Sequence, residues 1–182
     1  MIVGTSLSRR KCILLLLPAA LQSAAGSSTG PGVLDVPLVK QAKDGCGAAA
    51  LAMVIEYWRA ARPDLGLRSV DAQDLYRELY SKEKQGIAAA DLIRYLQERG
   101  FHALPLHASR TDMESHLAKG RPMIAAIRVG SRLHYVVVRG MEADAVWVND
   151  PWDGRSHRLS WRSFDQQWRG GARWLLLAVP RS

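Results

Sequence analysis

The apolar residues of this chain recur in two rhythms, and the change between them falls near Pro122. From Cys46 to Trp58, the residues Leu51, Val54, Ile55 and Trp58 stand three and four positions apart among the helix formers Ala49, Ala50 and Ala52. That spacing predicts a helix with Cys46 in its first turn. Residues 71–80 and 88–99 predict two more helices, the second stopped by Gly100. Residues 111–119 predict a fourth, opened by a Thr111–Glu114 capping box and closed at Gly120. Beyond Pro122 the segments 123–129, 133–139, 145–149 and 173–179 read as strands, each bounded by Gly, Ser, Asn, Asp or Pro. Helices first and closely spaced antiparallel strands later predict an α+β domain, with a helical lobe facing a sheet lobe across a groove that can take a ligand. There is no internal repeat.

The beginning of the chain has a different character. Arg9, Arg10 and Lys11 precede an apolar stretch from Cys12 to Leu21, and the small residues Ser23, Ala24, Ala25 and Gly26 follow. That is the order of a signal peptide. Residues 1–25 are therefore expected to be a signal segment, 26–32 a flexible Gly/Ser joint and 33–182 the working domain. The apolar stretch is shorter than the ~20 residues that cross a bilayer, so no integral span is expected in the mature chain. The expected location is exported, periplasmic or secreted. Ser8-Arg9-Arg10 is compatible with twin-arginine export and Leu14 to Leu17 with general secretion, which leaves the route open. Removal of the signal takes Cys12 with it and leaves Cys46 alone in a compartment where disulfides form.

Composition narrows the class. With 182 residues, 48% hydrophobic and 23% charged, the chain fits one globular domain. Its formal charge of +8 comes from scattered basic residues, without zinc-finger spacing or an RNA-binding aromatic motif. Nucleic acid is therefore not the expected partner. One mature cysteine and dispersed histidines supply no metal-ligand spacing, so no metal and no cofactor are expected.

A lone exported thiol is either a small buried hydrophobe or a reactive group, and its neighbours favour the second reading. Gly45 and Gly47 flank Cys46 with little bulk, which would let a carbonyl approach the sulfur. The helix that begins there puts unpaired N–H groups and a positive dipole end beside it. Such a nucleophile needs a base. Among five histidines, His134 opens the strong strand His134-Tyr135-Val136-Val137-Val138, whereas His102, His107, His116 and His157 lie in polar or turn-like stretches and read as surface residues. The following strand ends in Asp150-Pro151, so a carboxylate should emerge beside His134 across the hairpin, where an orienting group belongs. Trp152, Trp161 and Trp168 read as core or sheet-edge aromatics and are left out of the site.

These segments together resemble a known family. Gln41, the Asp44-Gly45-Cys46-Gly47 stretch with its Ala-rich helix, Leu133-His134-Tyr135-Val136-Val137-Val138, and Asn149-Asp150-Pro151-Trp152-Asp153-Gly154 are similar to the papain-like peptidases that remove double-glycine leader peptides from bacteriocin precursors. The resemblance runs from about residue 36 to 174. It implies a papain-like fold, a peptide or protein substrate, attack by Cys46, proton transfer by His134, orientation by Asp150 and oxyanion stabilisation by the Gln41 amide. Gln41 lies five positions before Cys46 (46 − 41 = 5), one fewer than in the exporter-linked members. The sequence also has no Gly-rich Lys-Ser/Thr phosphate loop, so a stand-alone relative is expected rather than an exporter's front domain. Acyl transfer to an amine would use the same residues as hydrolysis, and a peptide-binding module could keep the fold without turnover. The oligomeric state is not legible.

Overall fold

The computed structural model describes Met1 and residues 32–182. Apart from Met1, the expected signal segment lies outside the described residues, as does all but the last residue of the expected joint. Among those described, no helix is long and apolar enough to cross a membrane.

Helix α1 (Cys46–Ala61) is the hub. Its residues 47 to 55 are all buried, a consequence of four alanines that let neighbouring elements close in on every side. Trp58 fixes the far end by donating its indole N–H to the Ala178 carbonyl at 2.8 Å. Around α1 stand α2 (Ala72–Leu79), α3 (Ala89–Glu98) and a six-stranded sheet. Asp71 caps α2 by accepting from the Gln73 and Asp74 N–H groups.

The strands are β1 (Phe101–His107), β2 (Met123–Val129), β3 (Arg132–Met141), β4 (Ala145–Asp150), β5 (Arg155–Ser160) and β6 (Trp174–Pro180). They lie in the order β1-β6-β2-β3-β4-β5, and every pair is antiparallel. One face of the sheet packs on α1 through Ile124, Val137 and Leu176. The other face packs α4 (Arg110–Ala118) and α5 (Trp161–Gly170) through Val136, Val138, Phe164 and Trp168. The expected α+β architecture is therefore present, with differences in detail. Two edge strands and α5 appear where the sequence predicts no element.

Their sequences explain why. β1 contains Pro105, which lacks an N–H and is tolerated because β1 is at the edge. β5 reads Arg-Ser-His-Arg-Leu-Ser and forms the opposite edge, with one face in solvent. The predicted capping box of α4 also shifts. Ser109 and Asp112, rather than Thr111 and Glu114, exchange the reciprocal bonds.

Candidate active site

Three segments converge at the N-terminal end of α1. The first is the stretch from 33 to 45, which runs beside the sheet before entering the helix. Leu34 N–H donates to the Arg139 carbonyl at 2.8 Å, Asn149 Nδ2 donates to the Val36 carbonyl at 2.9 Å, and Gln41 N–H donates to the Pro151 carbonyl at 2.9 Å. Asn149 is buried, so its amide needs such a partner. These bonds lay Gln41 against the turn that carries Asp150. The chain then makes a tight turn in which Asp44 takes a φ of +56° and Gly45 N–H donates to the Ala42 carbonyl.

Cys46 is the first residue of α1 and is half-buried. Gly45 is the N-cap and offers no side chain, and no acidic residue occupies the first turn. The first N–H groups of the helix thus point outward without a side-chain cap, at the positive end of its dipole.

The second and third segments are β3 and β4. Val137 pairs with Asn149, so one further step sets Asp150 against Val136, on the diagonal from His134. His134 Nε2 and Asp150 Oδ1 are 2.7 Å apart. The same Oδ1 accepts from the Trp152 N–H at 2.8 Å, which holds the carboxylate in place. With Nε2 engaged by Asp150, Nδ1 is the ring nitrogen left for the neighbouring Cys46.

The charges follow from this geometry. Burial alone would discharge His134, but its hydrogen bonds to Asp150 and Cys46 and its attraction to both outweigh burial and raise the ring to about 9. For Asp150, burial works against the anion, yet the bonds from His134 and the Trp152 N–H hold its carboxyl below the usual value of 3.8. Tyr135 is pushed up to about 12, by burial first and by its proximity to Cys46 second.

A cleft of about 480 Å³ opens over these groups, lined by Gln41, Cys46, His134, Tyr135 and Asp150 among others. The Oε1 atom of Gln41 is buried with no partner among the described residues. The structure thus brings Gln41, Cys46, His134 and Asp150 to one place. An imidazole between a thiol and a carboxylate, under a cleft with free N–H donors, can carry out nucleophilic attack on a carbonyl.

The glycines beside Cys46 carry a constraint besides access to the thiol. Gly47 is buried, and a Cβ there would lie 3.1 Å from Ile87 Cβ and 3.5 Å from Tyr135 Cδ2. A Cβ on Gly45 would meet the Ala42 carbonyl and Tyr76 at 3.2 Å. Both glycines serve close packing of the loop on the helical lobe. Of the four histidines expected at the surface, His102 and His107 are exposed, whereas His116 and His157 are half-buried and His157 bonds Asp153 at 2.8 Å.

Asp150, Asp153 and His157 bring ligand atoms within 4.8 Å of one another. Asp150 and Asp153 are each already bonded to a histidine ring, so this group is a hydrogen-bonded turn rather than a cation cage. Of the three tryptophans set aside, Trp168 is fully buried beside Phe164 and Trp161 is half-buried against them. Trp152 is 67% exposed and lines the cleft with Val129 and Leu133. Its place directly after Asp150-Pro151 was the available signal.

Comparison with known proteins yields a consistent pattern. A model described as "Peptidase_C39 like family" matches residues 33–173. The chain is 30% identical over 179 residues to the "Probable functional amyloid protease FapD" of Pseudomonas fluorescens, covering 87% of this chain and 75% of that protein. It is 28% identical over 126 residues to the transport/processing ATP-binding protein ComA of Streptococcus pneumoniae, covering 69% of this chain but 16% of that longer protein. Among solved structures, a double glycine motif protease from an AMS/PCAT transporter, in complex with the leader peptide, superposes with a TM-score of 0.64 at 22% identity. That match covers 83% of this chain and 96% of the other, a likeness of fold.

Proposed function

The chain belongs to the peptidase C39-like family and is a cysteine peptidase, and from that premise we propose that it cuts peptides after small residues such as Gly-Gly through Cys46, His134 and Asp150. The observation that carries this reading is the imidazole of His134, held at 2.7 Å by Asp150 in the cleft that Cys46 also lines.

The steps follow from the positions of the atoms. The Cys46 thiolate attacks the scissile carbonyl carbon, a C–S bond forms, and the carbonyl oxygen takes the negative charge. The Cys46 N–H and the Gln41 amide donate to that oxyanion. Collapse breaks the C–N bond, and the imidazolium of His134 gives its Nδ1 proton to the leaving amine. Water then attacks the thioester and passes a proton to His134, and the C–S bond breaks to release the acid and restore the thiolate–imidazolium pair. Asp150 keeps the ring in one tautomer and orientation throughout.

The small-residue preference we propose rests on the family and on the double glycine motif protease of like fold. The working place we propose is outside the cytoplasm, on the basic and apolar order of residues 9–21 and the small residues after them. The test of this function is a matched peptide series that varies only the residue before the cut, assayed with the purified protein and with Cys46→Ala as blank. Efficient cleavage after Gly or Ala and slower cleavage after Phe, Leu or Lys is expected. Faster cleavage after large residues would remove the small-residue preference and leave the cysteine mechanism standing. A reactive thiol with no cleavage of any peptide would point to acyl transfer or a binding role.

A further inference from the structure

Arg132 opens β3 at the tip of the β2–β3 hairpin, just after the turn in which Gly130 takes a φ of +60°. From there its guanidinium crosses the mouth of the cleft to the helical lobe. One nitrogen lies 3.5 Å from Asp44 Oδ1, and another lies 3.4 Å from Gln85 Oε1. Asp44 is two residues before Cys46, and Gln85 lies in the loop closed by the Ser81–Gly86 bridge ahead of α3. Arg132, Asp44 and Gln85 all line the same cleft as Cys46 and His134.

The two partners share an unusual feature. Asp44 has a φ of +56° and Gln85 a φ of +48°, a left-handed backbone that residues with a Cβ adopt only where their surroundings hold them. Both loops therefore present their side chains to the cleft at a conformational cost, and Arg132, bridging from the sheet lobe, meets both. A guanidinium suits this task because its nitrogens point in fixed, divergent directions, so one side chain can reach two acceptors.

We infer that Arg132 is a specificity-determining residue: its side chain lies as a bar across the cleft, and it restricts the substrate residues next to the cut to small ones. The inference rests on the small-residue peptidase reading above and names the residue that sets that preference. A Gly-Gly segment passes beneath the guanidinium with both contacts kept. A bulky side chain at the same place has to push the guanidinium away from Asp44 and Gln85. The bar is light. Both contacts are long and the Arg132 side chain is 61% exposed, so the discrimination it adds is about fivefold, the scale of an exposed ion pair.

The test compares peptides that differ only at the first or second residue before the cut, Gly against Leu, with the residue after the cut varied as a control. Wild-type protein, Arg132→Ala, Arg132→Lys and Gln85→Ala are assayed for kcat/KM, with thermal midpoints recorded to verify folding. The Leu-to-Gly ratio should rise about fivefold in Arg132→Ala, and less in Arg132→Lys and Gln85→Ala, each of which keeps part of the bar. The control position should not respond. A wild-type preference for Gly that persists unchanged in a folded Arg132→Ala would overturn the inference and leave the small-residue reading intact. Equal wild-type cleavage of Gly and Leu peptides, or none of either, would overturn both.

Discussion

His134 and Asp150 meet at 2.7 Å although sixteen residues separate them, because the β3–β4 register sets Asp150 on the diagonal from His134. The pair is thus fixed by the sheet rather than by a flexible loop. On the other side of the same ring stands Cys46, carried by an unrelated element, the first turn of α1.

Asp150→Asn should be milder than His134→Ala. An asparagine oxygen can still accept from Nε2–H and hold the ring, although the charge that favours the imidazolium is gone. Loss of the base itself costs about 10² to 10⁴ in kcat. Equal losses in two well-folded variants would mean that the carboxylate does more than orient.

The pH response of His134 has a defined sign. Its ring is raised to about 9 from an ordinary 6.5, so the stabilisation it gives the fold is complete below about 6.5 and is lost as pH rises through about 9. Asp150 is lowered, so its contribution is present above its ordinary 3.8 and is lost as pH falls through its folded value. Activity should have an alkaline limb near 9, where the imidazolium that protonates the leaving amine disappears. NMR titration of the His134 ring should show the same midpoint in the wild type and a lower one in Cys46→Ala, which removes one hydrogen bond and one attraction. An unshifted midpoint in that variant would mean that Cys46 and His134 are not coupled.

Gln41→Ala should lower kcat by roughly 10²-fold with little change in KM, as for loss of an oxyanion donor. The Gln41 backbone bond to Pro151 is kept in the variant, so the loop should stay in place. Steady-state kinetics on a Gly-Gly peptide decide it, and an unchanged kcat would move oxyanion stabilisation to the helix N–H groups alone.

The site was more legible in the sequence than the edges of the sheet. Cys46 at a helix start, His134 opening a run of β-branched residues and Asp150 ending the next strand are each marked by local pattern, and antiparallel pairing does the rest. β5 escaped because an edge strand with Ser156, Arg158 and Ser160 exposed and Leu159 its one apolar residue has no apolar alternation to read. α5 was legible in the spacing of Trp161, Phe164 and Trp168, three and four positions apart, and was missed because the tryptophans were read one by one as core or sheet-edge fillers. The glycines also carry a packing constraint, from Ile87, Tyr135 and Tyr76, residues 31 to 88 positions away whose approach no local pattern encodes. Arg132 likewise became meaningful only beside Asp44 and Gln85.

Gly47→Val should lower stability by about 1–3 kcal/mol, the usual effect of adding bulk to a filled site. A Cβ at 3.1 Å from Ile87 already demands adjustment, and two further methyls would press on Leu92 and Tyr135. Denaturant unfolding measures the change, and a variant as stable as wild type would show that the site has room.

The most direct measurement is cleavage of one Gly-Gly peptide by the wild type and by Cys46→Ala, with circular dichroism to show that both are folded. Alanine is a good residue at the start of a helix and the sulfur makes no disulfide, so the fold should survive. Wild-type protein should cut after the glycines, and Cys46→Ala should fall to the rate of the peptide alone. Cleavage by a folded Cys46→Ala at the wild-type rate would contradict the assignment of Cys46 as the nucleophile.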